Sequence, residues 1–172
     1  GYGFEADSGE ICINEILFNP KPEDDDYIEL YNTSSRSLDL SKMKIAKLIN
    51  GSAEQFYALF NTPRNILPKE ILCLSKDPNK TCLSYPSNQS EQVIAYHTIC
   101  TMNDDTDRIV LINRHGLRVE EIAYHENWQH PLINDVEGVA LERRSSSQSG
   151  LTKDNWVSAC ANDGYGTPGL KN

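Results

Sequence analysis

Short stretches of alternating apolar and polar residues, interrupted by Pro, Gly, Asn and Asp, run through most of the chain. This period-2 pattern predicts strands. Residues 11–18 form the first, stopped by Asn19-Pro20-Lys21-Pro22, whose two prolines cannot donate to a ladder. Tyr27–Asn32 is the second, followed by a polar turn at Thr33-Ser34-Ser35 and a short piece at 38–40. Met43–Ile49 and residues 55–60 read as a hairpin joined through Asn50-Gly51, a pair that accepts the positive φ of a tight turn. Further strands are predicted at 70–75, 93–98, 108–113, 117–124, 139–142 and 156–159. Asp77-Pro78 combines a capping residue with proline at a first helical position, and predicts the one short helix. Strands this short and evenly spaced predict an all-β sandwich or barrel of about 8–10 mostly antiparallel strands.

Two places break the pattern. Asn14 and Glu15 are polar neighbours inside an apolar strand, so one of them must face inward and find hydrogen bonds, or the strand must bulge. Tyr27, Glu29 and Tyr31 share one face of the second strand, which predicts a polar face offered to solvent or a partner. Residues 1–10 are Gly-rich and acidic, and read as a linker or the tail of a preceding segment. The domain is placed at 11–172.

Composition narrows the function classes. The 172 residues, 38% of them hydrophobic and 24% charged, suit one globular core. No run approaches the roughly 18 apolar residues of a membrane span, so no transmembrane segment is expected. A net charge of −9 opposes a polyanion, and nucleic-acid binding is not expected. Arg143-Arg144 beside Lys153 is the best candidate for a local basic patch, its alternative being solvated charges at a strand end. Cys12, Cys73, Cys82, Cys100 and Cys160 contain no C-x-x-C. In an oxidising compartment up to two disulfides could form, in a pairing that spacing does not choose; otherwise several are small buried side chains in strands.

Searches for catalytic chemistry return little. His125-Glu126-Asn127-Trp128-Gln129-His130 resembles a zinc-protease string, but its second His falls five residues after the first, roughly 140° away around a helix. Pro131 then favours an extended turn. Ser145-Ser146-Ser147 lies in no nucleophile elbow. Two acidic loops, Asp24-Asp25-Asp26 and Asp104, Asp105 with Asp107, offer oxygen ligands for Ca²⁺ without the EF-hand spacing, and read first as solvated turns. No Gly-rich loop opens a helix. Sequons at Asn32, Asn50, Asn79 and Asn88 matter only in a eukaryotic secretory route. No catalytic residue, metal site or cofactor is therefore expected.

Three strings carry a resemblance. Ile13-Asn14-Glu15-Ile16 with Tyr27-Ile28-Glu29-Leu30-Tyr31-Asn32, then Pro131-Leu132-Ile133-Asn134-Asp135 through Gly138-Val139-Ala140-Leu141-Glu142-Arg143, and finally Asn155-Trp156 with Gly166-Thr167-Pro168-Gly169, resemble in order and spacing the lamin tail domain of bacterial multidomain proteins. The resemblance runs from about residue 11 to the end. It implies an immunoglobulin-like β-sandwich and carries over no catalytic residues. It also implies a binding or tethering module of an exported or cell-surface protein, contacting a protein or carbohydrate. The alternative is an accessory domain that holds substrate for an attached hydrolase or nuclease; a hydrolase built on the loop of His125 and His130 is a third reading. The acidic charge and the lack of a heptad-bearing segment set the chain apart from a nuclear lamin.

Overall fold

The computed structural model describes residues 3–171. Among the described residues, twelve strands form two principal sheets and a small pair. The larger sheet contains β1 (Ile11–Leu17), β2 (Tyr27–Asn32), β7 (Ile71–Ser75), β8 (Val93–Ala95), β11 (Leu141–Arg143) and β12 (Trp156–Ser158), in the order β12-β11-β1-β2-β7-β8. Its neighbours are antiparallel except β7 and β8. The smaller sheet, ordered β10-β9-β4-β5, contains β4 (Met43–Ile49), β5 (Ser52–Ala58), β9 (Thr106–Asn113) and β10 (Arg118–His125). The two-residue strands β3 (Leu38–Asp39) and β6 (Asn65–Ile66) pair separately. The helix α1, Pro78–Ser84, starts where the sequence places it: the Asp77 carboxylate accepts from the Lys80 N–H and Pro78 occupies the first turn. Asn50 and Gly51 both adopt positive φ, as the hairpin turn requires.

The two sheets face each other across the main core. Ile11, Ile13, Ile16, Ile28, Leu30, Leu72, Leu74 and Leu141 from the larger sheet meet Met43, Ile45, Ile109, Leu111 and Ile122 from the smaller. Phe18 stacks on Tyr124 at 4.3 Å within the same cluster. Residues 3–10, read from composition as a linker, lie against this body. Phe4 bridges Leu38 in parallel, Ala6 is fully buried in the main core, and Arg36 pairs with Asp7 and Glu10. Residues 1 and 2 of that stretch lie outside the described residues.

The larger sheet is covered on its other face as well. Leu17, Tyr27, Cys73 and Ala140 form a second cluster there with Tyr85, Val93 and Ala159. This double covering explains why every residue of β1 and β7 is buried, where a one-sided sheet would show alternating exposure. Among the described residues, no helix is long and apolar enough to cross a membrane.

Candidate functional site

The polar oddity in β1 resolves as a bulge. The register against β2 shifts between Ile13 and Glu15, so Asn14 is the extra residue and Ile16 returns to the core on phase. Asn14 and Glu15 then both serve the outer face. Glu15 stands opposite Glu29 of β2 on one side and Glu142 of β11 on the other.

The carboxy-terminal strap closes over these three acids. The Thr167 N–H donates to Glu15 Oε1 at 3.0 Å, and its Oγ1 donates to Glu15 Oε2 at 2.8 Å and Glu142 Oε1 at 3.2 Å. Glu29 accepts from Asn14 Nδ2 and from the Gly169 N–H, both at 2.7 Å. The Tyr27 hydroxyl donates to Glu15. Glu15 and Glu29 are both fully buried. Burial pushes Glu15 up to about 7, against the hydrogen bonds from Tyr27 and Thr167, and Glu142 nearby adds to the rise. Burial, and then the facing Glu15, drives Glu29 well above the usual carboxylate range. Two carboxyls in one dry site favour holding a proton between them.

Perturbed carboxyls often mark active sites. Here Glu15 and Glu29 have no exposed surface and lie under the strap. Gly166 passes so close to the Tyr27–Tyr85 pair that an added Cβ would sit 2.6 Å from the Tyr27 hydroxyl and from a Tyr85 ring carbon. The family-like strings around Glu15, Glu29, Glu142 and Gly166-Thr167-Pro168-Gly169 thus converge on one structural latch. The expectation that Tyr27, Glu29 and Tyr31 face solvent is corrected: β2 is a central strand, Tyr27 and Glu29 are fully buried, and Tyr31 is half-buried.

The two acidic loops meet at one end of the sandwich. Asp107 pairs with the buried Lys47 of β4, whose Nζ also reaches Asn103 Oδ1 at 3.3 Å. Burial pushes Asp26 up to about 7, with Asp104 adding to the rise. Three of the other carboxylates have local partners: Asp24 accepts from Ser84 Oγ and Asp105 from the Thr106 N–H, both at 2.7 Å, and Asp25 pairs with Lys76. Among the described residues, no group of three or more His, Cys, Asp or Glu is arranged to hold a metal. His125 ends β10, and its Nδ1 accepts from the Asn127 N–H at 3.1 Å, while His130 Nδ1 accepts from the Leu132 N–H at 3.2 Å. Each ring caps its own turn.

Arg143 is not a surface cation. Its guanidinium is buried and bonds to Glu120 Oε2 at 2.6 Å, Ile13 O at 3.1 Å and Ser145 O at 3.1 Å, and it lies over Trp156. That dissolves the Arg143-Arg144 pair as a patch and leaves Arg144 exposed beside Lys153. All five cysteines are free; Cys12, Cys73 and Cys100 are buried, Cys82 half-buried and Cys160 exposed. The Asn32 side chain is buried, donating to Arg36 O, Ile66 O and Leu67 O, which removes its sequon from use.

A groove of about 590 Å³ runs along the open edge of β12. One wall comes from the 127–133 loop with Trp128, His130 and Ile133, the floor from Trp156 to Ala159, and the rest from Arg144, Lys153, Ala161 and Tyr165. The loop is pinned to the strand, since the His130 N–H donates to Ser158 Oγ at 2.7 Å and Ser158 Oγ donates to Gln129 Oε1 at 2.5 Å. Gln129 Nε2 in turn donates to Val139 O. Sequence reasoning picked out Trp128, His130, Arg144 and Lys153 one by one, as a failed zinc string and a basic run. Only the fold brings them to one groove.

Against this geometry, a family model described as Lamin Tail Domain matches residues 5–126. The chain belongs to the lamin tail domain family. The lamin tail domain is a non-catalytic, immunoglobulin-like family, which agrees with the two-sheet architecture found here. No match was found among curated proteins. The residues that line the β12 groove, between 127 and 165, all lie beyond the stretch matched to the lamin tail domain.

Proposed function

We propose that this lamin tail domain is a binding or tethering module of a larger exported or cell-surface protein, contacting a protein or carbohydrate partner. The observation that carries the reading is the β12 groove: an open aromatic and cationic surface held by side-chain hydrogen bonds, in a molecule whose Glu15 and Glu29 carboxyls are buried under its own strap. A buried latch stabilises the fold and leaves the surface to do the recognition. Resemblance to the bacterial form of the family supports the exported setting, and a signal sequence upstream in the complete reading frame is the check on it.

The test pairs two screens of the intact chain. An array of peptides and oligosaccharides is expected to yield saturable binding. A panel of chromogenic ester, phosphodiester and glycoside substrates is expected to yield no turnover. Turnover abolished by His125→Ala or His130→Ala would overturn the reading in favour of an enzyme.

A further inference from the structure

We infer that the β12 groove receives an extended acidic polypeptide segment, laid beside β12 as an added strand; this rests on the binding-module reading and names its partner class.

Charge is the first argument. The protein carries 25 Asp and Glu against 16 Lys and Arg, yet no carboxylate lines this groove while Arg144 and Lys153 both do. Arg36, Arg108, Arg114, Arg118 and Arg143 are each tied to carboxylates. The exposed Arg144 guanidinium has no side-chain partner among the described residues, and Lys153 Nζ has only Asn127 O at 3.1 Å. The groove lining includes further donors. The Trp128 indole N–H is unpartnered among the described residues, unlike that of Trp156, which donates to Gly150 O. With its Nδ1 accepting from Leu132, neutral His130 carries its proton on Nε2. A groove with two cations, an unpartnered indole N–H and no carboxylate in its lining favours a ligand that brings acceptors and anions.

Backbone geometry supplies the second argument. The Arg144 N–H donates to Asn155 O and the Ala159 N–H to Ala140 O, so residues 155, 157 and 159 turn their backbone toward β11. Ser158, out of phase with them, aims its N–H and C=O along the open edge, and neither has a backbone partner among the described residues. An edge of this kind binds extended peptides through main-chain hydrogen bonds, with side-chain pockets setting the choice. Trp128, Ile133 and Tyr165 provide apolar contact for alternate residues of such a strand.

Fluorescence anisotropy on the intact chain tests this, using a fluorescein-labelled peptide of alternating Glu and Val, its Lys and Val counterpart, and an acidic peptide N-methylated at alternate amides. The acidic peptide is expected to bind saturably, more weakly as salt rises, and at least about tenfold more weakly to the R144E/K153E double variant. The lysine peptide and the N-methylated peptide are expected not to bind. Circular dichroism and the thermal midpoint verify that the double variant is folded. Equal binding of the lysine peptide, an unchanged affinity in the double variant, or undiminished binding of the N-methylated peptide overturns the inference. So does competition by inorganic phosphate, polygalacturonate or a single-stranded oligonucleotide that displaces the peptide at lower concentration than unlabelled peptide does. If the array finds a ligand indifferent to R144E/K153E, the groove falls and the binding-module reading stands. Turnover lost with His125 or His130 removes that reading by itself.

Discussion

At the scale of single residues, the strongest physical signal is the pair of sealed carboxyls, and it dictates how stability depends on pH. Glu15 and Asp26 are each pushed up to about 7 and Glu29 well above its usual range, all chiefly by burial. In the unfolded chain these groups lose their protons near pH 4, so the folded state binds more protons in the window between. For Glu15 and Asp26 the stabilising contribution is therefore complete below about pH 4 and is lost as pH rises through about 7, and Glu29 acts in the same direction. For Glu15 alone the change is on the order of 3 kcal/mol. The urea midpoint is expected to fall between pH 5 and pH 8, opposite to the behaviour of carboxylates held in ion pairs. Glu29→Gln keeps an acceptor for the Gly169 N–H and takes one titrating group from the pair, so its midpoint should change less over the same range. A wild-type midpoint that is flat or rises with pH would show that the carboxyls are charged in the folded state.

Between elements, the carboxy-terminal strap does for the outer face what the second sheet does for the inner one. Thr167 joins β1 and β11 through a single hydroxyl, which donates to Glu15 and Glu142. Thr167→Val keeps the shape and deletes that donor, leaving buried acceptors unsatisfied at a cost of about 1–3 kcal/mol. Thr167→Ser retains the hydroxyl and should sit close to wild type in the same chemical-denaturation series; equal losses in both variants would assign the effect to the methyl group instead. This link also marks what the sequence makes legible. The strands themselves follow from alternation, and the conflict at Asn14 and Glu15 announces a bulge because two adjacent polar residues cannot both fit a period of two. The covering of β2 does not follow. Glu15 and Thr167 are 152 positions apart, and alternation records which residues share a face without recording what packs on it. For the same reason Tyr27 and Glu29 look like surface residues from sequence. Arg143 looks like half of a basic patch, because the carboxylate that takes it inward, Glu120, lies 23 positions away in another sheet. The groove shares this difficulty: Trp128 and Arg144 belong to different segments, and the pinning of loop to strand through Ser158 has no signature in either.

For the molecule as a whole, the question is whether the sandwich and its strap open together. The chain carries its own reporters, since its thiols lie at different depths. Cys100 sits in the main core between the sheets, Cys73 in the cluster beneath α1 on the outer face, and Cys160 on the surface. Burial raises Cys100 to about 12 and Cys73 well above the ordinary thiol range, so neither presents a thiolate while the fold is intact. A thiol-specific reagent at neutral pH should label Cys160 at once. The strap packs onto the sheet that also forms the main core, through Glu15 and Glu29 on strands whose residues Ile13, Ile16, Ile28 and Leu30 face inward. Lifting it would remove the Thr167 and Gly169 donors from two buried carboxyls, which opposes a separate opening step. Cys73 and Cys100 are therefore expected to become reactive at the same urea concentration, coincident with loss of the β-sheet circular dichroism signal. Labelling of Cys73 at a clearly lower concentration than Cys100 would show instead that the outer cover detaches first, and that the two faces of the large sheet are separate cooperative units.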